Sequence, residues 1–244
     1  MKLAFGSAER PTGSYPAPWS ASPGVRAAVP VDGPLTLVVS WLDADDWVAW
    51  PATHGEDAVY VLDGTAVVDG TPVPAGGAIV LHADEPCRIA GPARLAHFSA
   101  GGSGPRGRAG GRHLLGPGGL FRSGSPTGSQ ATWFADSTCD GCDVALFRVE
   151  RDTPGNRGRG HSHSADEILF LVEGGIRLGA HELATDHAVF IPADTRYAIT
   201  CGPVQHAFLN YRPTASTQLY EGETEPLPEN GLGRGGELVG DIIE

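Results

Sequence analysis

The chain has 244 residues, 41% of them hydrophobic, and a net charge of -12. It is long enough for one large domain or two of ordinary size, and it carries enough apolar material to bury a core. The acidic balance excludes the basic footprint of a nucleic-acid binder, and no apolar run approaches the ~20 residues of a membrane-spanning helix.

Glycine (35) and proline (20) are abundant and no heptad pattern appears, which favours turns and short strands over helices. The first residues, Met1 to Ser14, lack the apolar centre of a secretory signal. Cys87, Cys139, Cys142 and Cys201 are too few for a disulfide scaffold. Both observations point to a reducing cytoplasm. Residues 1 to about 30 read as an irregular arm, because Pro11, Pro16, Pro18 and Pro23 break any helix. Apolar runs then predict strands over Leu35 to Trp41, Ala58 to Leu62, Ala66 to Val68, Ala78 to Leu81 and Ala93 to Phe98. Asp63-Gly64 between two such runs predicts a hairpin turn. Residues 100–119 are rich in Gly and Arg and read as a linker, with Arg106, Arg108 and Arg112 solvated rather than forming an anion site. Further strands are predicted over Val144 to Val149, Ile168 to Val172, Ile176 to Leu178, Ala188 to Ile191 and His206 to Tyr211. The tail from Thr214 has seven acidic residues and one Arg, and is expected either to be disordered or to wrap a neighbour.

An internal repeat organises these elements. At an offset of 110, Asp57 to Gly64 (DAVYVLDG) falls on Glu167 to Gly174 (EILFLVEG), and Gly77 to Asp84 falls on His187 to Asp194. Ile89 meets Ile199 and Phe98 meets Phe208. Pro11-Thr-Gly-Ser14 echoes Pro126-Thr-Gly-Ser129 at a slightly different offset, with Trp19 and Trp133 following. Two copies indicate duplicated domains rather than a solenoid. The expected division is 1–105, 106–213 and an acidic tail, 214–244.

Within the second copy stands Gly155 to Gly174, GNRGRGHSHSADEILFLVEG. His161 and His163 are two apart, so on a strand they project to one face, and Glu167 follows at the start of the next apolar run. Two imidazoles and a carboxylate on one wall form a facial triad, which holds a divalent transition metal and leaves positions open for substrate. The spacing resembles the first motif of the cupin superfamily, G-x5-H-x-H-x3-E-x6-G, at every fixed position. With the duplication, the chain is similar to a bicupin. The resemblance implies an all-β fold of two tandem jelly-roll barrels. It also implies one divalent metal per chain, iron ahead of manganese, nickel or zinc, held by His161, His163 and Glu167.

The family's second motif, G-x5-P-x-G-x2-H-x3-N, is matched at Pro192 alone. Asp186 and Asp194 stand at its glycines, Cys201 at its Asn, and Tyr197 at the His that normally supplies a fourth ligand. Tyr197 is therefore a candidate catalytic residue, expected as a hydrogen-bond donor or proton carrier beside the metal, with an aromatic core filler as its plainer reading. In the first copy the matching positions are Pro51, Thr53, Asp57 and Cys87, a poor metal site. That barrel is expected to be structural. His54 is out of phase, and His82 replaces the motif proline. Cys139-Asp-Gly-Cys142 lacks the second pair that structural zinc needs and reads as two reduced cysteines. His181, His187 and His206 each remain candidates for the cavity wall.

Three function classes stay open: a metal-dependent dioxygenase similar to the quercetin dioxygenase type, a non-redox isomerase, lyase or cyclase, and a binding barrel without turnover. The facial triad favours the first. The expected partner is a small-molecule substrate, with no nucleic acid and no membrane, and a homodimer stays open.

Overall fold

The computed structural model describes residues 2–11, 13–16, 19–51, 56–100, 111–124, 129–136, 143–151, 153–231 and 235–244. The Cys139/Cys142 pair, Thr53, His54, Arg106, Arg108 and the junction at 105–106 lie outside them. The described residues contain strands and no helix. They form one ten-stranded sheet system, mostly from the first repeat, and an eight-stranded sheet with two three-stranded ones, mostly from the second. Each set curls into a barrel.

The repeat is visible in the backbone itself. Gly64 and Gly174 both have positive φ, 75° and 68°, and so do the pairs Gly76 and Asp186 (86°, 68°) and Asp84 and Asp194 (63°, 60°). The two aspartates that replace motif glycines thus keep the left-handed backbone that glycine would adopt freely. A Cβ on Gly64 would meet Pro92 O at 2.4 Å, and one on Gly174 would meet Gln205 O at 2.3 Å. These glycines serve close approach. The expected hairpin at Asp63-Gly64 is not there: one strand runs from Asp57 to Val68 and bends at Gly64. The turn comes at Asp69-Gly70, where both residues have positive φ and the strand Thr71–Pro74 folds back, as a type I′ turn demands.

The arm and the linker are not irregular. Ala4–Ser7 is a strand that pairs with His187–Ile191 of the second barrel. Arg112–Leu115, expected in a solvated linker, pairs with Ala78–Leu81 of the first barrel. Each repeat therefore begins with a strand that completes the other repeat's barrel. Arg112 is tied by ion pairs to Asp69 and to Glu244.

Strands buried on both sides explain why the central runs are apolar throughout. Along Glu167–Glu173, Ile168 and Phe170 enter the core between the barrels, while Leu169 and Leu171 enter the second barrel. Ala58 and Tyr60, against Val59 and Val61, do the same in the first. Across the junction Phe98 stacks on Tyr211 at 5.3 Å and Tyr60 meets Phe134 edge-on at 5.4 Å. Phe98 pairs with Ala58 as Tyr211 pairs with Ile168, so its structural counterpart is Tyr211 rather than Phe208.

The tail is ordered over its described residues. Thr217–Tyr220 pairs with His161–His163, Leu227–Pro228 pairs with Thr217–Tyr220, and Glu237–Leu238 pairs with Phe121–Gly124. It wraps its own chain and passes directly over the histidine strand.

Candidate functional site

His161–His163 is a three-residue strand with both imidazoles buried and Ser162 half-buried between them, the alternation that period two requires. Glu167 opens the next strand and is fully buried. Tyr197 lies just before the strand Ile199–Cys201 and exchanges two backbone hydrogen bonds with His161, each 2.9 Å. The four residues line or adjoin one cavity of about 340 Å³ inside the second barrel.

The far side of each candidate ligand is already held. His161 Nδ1 donates to Arg159 O at 2.9 Å. His163 Nδ1 donates to Glu229 Oε2 at 2.5 Å. These bonds engage Nδ1 of both rings, so Nε2 is the nitrogen left to face the cluster. Burial pushes His161 down to about 4, so its ring is neutral near pH 7. Glu167 Oε2 accepts from Asn210 Nδ2 at 2.8 Å and from Arg212 Nη2 at 3.1 Å. Its other oxygen, Oε1, accepts from Tyr197 Oη at 2.6 Å. Burial alone would raise the Glu167 carboxyl. His163, Arg212 and the two side-chain hydrogen bonds outweigh it and hold the group below the usual range. Tyr197 is pushed well up by burial and then by Glu167, so its phenol is neutral.

Three atoms converge: His163 Nε2, Glu167 Oε1 and Tyr197 Oη, at 3.1 Å (Nε2 to Oη), 2.6 Å (Oη to Oε1) and 3.8 Å (Nε2 to Oε1). The Arg212 guanidinium borders the cluster, with Nη2 at 3.4 Å from His163 Nε2 and 3.1 Å from Glu167 Oε2. Among the described residues no three side chains of His, Cys, Asp and Glu stand together as they lie to hold an ion; the phenol is the group set between His163 and Glu167. In chemistry the donor set fits a divalent transition metal: two imidazoles, a carboxylate oxygen and a phenol oxygen, each imidazole and the carboxylate braced from behind as metal ligands are.

Three contributors were missed from the sequence. Asn210 and Arg212 follow Phe208 at inward positions of the strand His206–Arg212, and polar side chains at alternate positions of an apolar strand were the available signal. Glu229 had none, because it sits in the tail. Arg212 is 1% exposed and also forms an ion pair with Glu229, Nη1 to Oε2 at 3.0 Å. Burial would lower its affinity for a proton, but Glu229 and Glu167 raise it, so it stays charged. Of the other candidate histidines none lines this cavity: His181 is exposed, and His187 lies 3.5 Å from Glu9.

His206 is buried with neither ring nitrogen partnered. Burial, and then Arg151, push it down to about 4, whereas the unfolded chain titrates near 6.5. The unfolded state therefore binds a proton first, and stability falls as pH drops from ~6.5 to ~4, by roughly 3 kcal/mol from this residue. His206→Leu should flatten that part of the curve. Urea midpoints at pH 7, 5.5 and 4 check this; parallel curves for the two proteins would refute it.

No protein-family model matches the sequence, and no curated protein sequence matches it. Solved structures do match. Procruciferin, an 11S globulin from Brassica napus, superposes with a TM-score of 0.66 at 8% identity, covering 90% of this chain and 86% of that one. Protein Ylba from E. coli gives 0.66 at 12%, covering 86% and 90%. A mutant of Bacillus subtilis oxalate decarboxylase gives 0.63 at 14%, covering 88% and 79%. The chain shares the all-β, cupin-like jelly-roll fold of these structures.

The first barrel lacks the second barrel's arrangement. Trp50 pairs with Cys87 as His161 pairs with Tyr197, so an indole takes the place of the first imidazole. His97, the counterpart of Asn210, accepts from Trp50 Nε1 at 3.1 Å and bonds Tyr15 Oη at 2.7 Å. Both its nitrogens are engaged. Trp50, Tyr15, Val59 and Leu95 fill the interior with apolar side chains. Burial pushes the Cys87 thiol up to about 12, which leaves it protonated and inert. Brief alkylation followed by peptide mapping should leave Cys87 unlabelled in the folded protein and labelled in urea. Labelling under native conditions would contradict the burial.

Proposed function

We propose that the chain is a metal-dependent bicupin enzyme that transforms a small organic acid in its second barrel. The observation that supports this best is the convergence of His163 Nε2, Glu167 Oε1 and Tyr197 Oη, each ligand braced from behind, at a cavity of about 340 Å³. A bound divalent metal would supply Lewis acidity and, if it is iron, O2 chemistry on a facial triad. His161, His163 and Glu167 would hold it. Tyr197 keeps a proton at Oη beside Glu167 and can deliver it to a substrate atom or take it back. Arg151 lines the same cavity, and its Nε is without a partner; Asn210 Oδ1 is likewise unpartnered. The guanidinium suits a substrate carboxylate, and the amide oxygen suits a donor on the same molecule. Trp133 and Phe147, stacked at 4.1 Å, give that cavity an apolar wall and exclude water. Among the compared structures one is an oxalate decarboxylase, in keeping with a small acid as substrate.

Dioxygenase chemistry with iron is the first reading. The neutral, hydrogen-bonded phenol favours a second, a non-redox isomerisation or elimination in which Tyr197 moves the proton. Elemental analysis and O2 uptake separate them. One metal per chain is expected in the wild type and none in a His161→Ala, His163→Ala double variant. Iron with O2 consumption supports the first reading, and turnover without O2 supports the second. Metal content unchanged in the double variant overturns the proposal. Tyr197→Phe should keep the metal and lose most turnover; full activity would make the residue core packing, and loss of metal would make it a ligand.

A further inference from the structure

A second cavity of about 340 Å³ opens at the wall of the same barrel; its lining carries Arg157, Arg177, Arg196 and His181 and reaches in to the buried Leu178 and Tyr197. The sheet explains why they gather. Thr200 bridges to Arg157 on one side and pairs with Arg177 on the other. Directly opposite residues in a ladder share a face, so the two guanidiniums flank Thr200 across two strand spacings, about 10 Å between Cα atoms. Arg196, Ala198 and Thr200 alternate outward while Tyr197, Ile199 and Cys201 are buried. The third arginine therefore belongs to the same outer face, on the segment that runs between the other two.

Among the described residues none of these three arginines makes an ion pair or side-chain hydrogen bond. Glu182 stands across the ladder from Arg177 but forms no ion pair with it. The chain has 29 acidic residues to 17 basic ones, so three unpaired guanidiniums around one concavity run against its overall charge. Beneath them Leu3, Leu178 and Ala198 form an apolar floor. His181 stacks on Phe5 of the N-terminal strand at 4.2 Å, which fixes one edge.

We propose that this outer cavity binds a phosphorylated small molecule, its phosphate held by Arg157, Arg177 and Arg196 and its organic part resting on the apolar floor. Planar guanidinium forks match phosphate oxygens two at a time, and Thr200 Oγ1 adds a donor between two of them. The cavity has more room than a bare phosphate fills. Tyr197 lines this cavity as well as the inner one, so the two sites adjoin, but none of the three arginines lines the inner cavity.

Calorimetric titration of the full chain with inorganic phosphate, phenyl phosphate and citrate tests it. Phenyl phosphate should bind more tightly than inorganic phosphate, because only it reaches the floor. An Arg157→Ser, Arg177→Ser double variant should weaken it at least tenfold with an unchanged melting temperature. These arginines are exposed, so the variant is expected to fold; Arg196→Ser alone gives an independent check should it not. No saturable binding of either phosphate, binding unchanged in the variants, or a preference for citrate would each overturn the assignment.

Discussion

A Glu229→Ala variant should unfold about 3–5 kcal/mol more easily than the wild type, the usual cost of removing one partner from a buried ion pair. Glu229 is 5% exposed and contacts two groups of the site at once. It accepts from His163 Nδ1 and pairs with Arg212. Its own backbone N–H bonds Ser216 O at 2.9 Å, which docks the tail over the histidine strand. Alanine would leave the imidazole N–H without an acceptor in the interior and would loosen that docking. Glu229→Gln separates the two effects. The amide oxygen still accepts from His163, so most stability should return, but the carboxylate that raises ligand basicity is gone. Metal affinity should then drop ~10–100-fold, as for other groups that orient a metal-bound imidazole. Urea unfolding followed by circular dichroism, and metal competition with a chelator, provide the two readings. A Glu229→Ala protein within 1 kcal/mol of wild type would show that the tail contact is incidental.

That residue also marks a limit of the sequence. His161, His163 and Glu167 are readable because a strand's period and a short turn keep them together within seven positions. Glu229 is 66 positions from His163, and no local pattern connects them. Asn210 and Arg212 lie between these cases. They alternate in phase with Phe208, but a strand that ends in NYR reads as leaving the core unless another buried charge is known to receive the arginine. The turns divide in a similar way. Asp63-Gly64 and Asp69-Gly70 are the same dipeptide, and only the second turns the chain. At Gly64 the positive φ serves the approach of Pro92 O, a tertiary contact that sequence does not show. The opening strand Ala4–Ser7 was missed because its partner, His187–Ile191, belongs to the other repeat. The duplication itself was legible, since both copies keep the same apolar runs and the same left-handed positions.

Arg212→Met should give the other large effect, and its pH dependence identifies the cause. The guanidinium lies between Glu167 Oε2 at 3.1 Å and Glu229 Oε2 at 3.0 Å. Without it two buried carboxylates face each other with less positive charge nearby, and at pH 7 the loss should be about 3–5 kcal/mol. In the wild type, burial would raise the Glu167 carboxyl, but His163 and Arg212 outweigh it and hold it below its ordinary value. A carboxyl depressed in the folded state contributes stability above its unfolded pKa, near 4.3, and loses that contribution as pH falls. In the variant the balance reverses. The folded carboxyl rises above the unfolded value, so protonation now stabilises the fold, and the deficit against wild type should shrink as pH falls from 7 towards 4. A lost packing contact with Phe147, over which the guanidinium lies at 5.2 Å, would instead be independent of pH. Adding Glu229→Gln to Arg212→Met removes one of the two stranded carboxylates. The double variant should then be less destabilised than the sum of the singles by about 1–3 kcal/mol. Strict additivity, with a deficit constant from pH 7 to pH 4, would mean that Arg212 acts as a filler of the barrel and not as its internal countercharge.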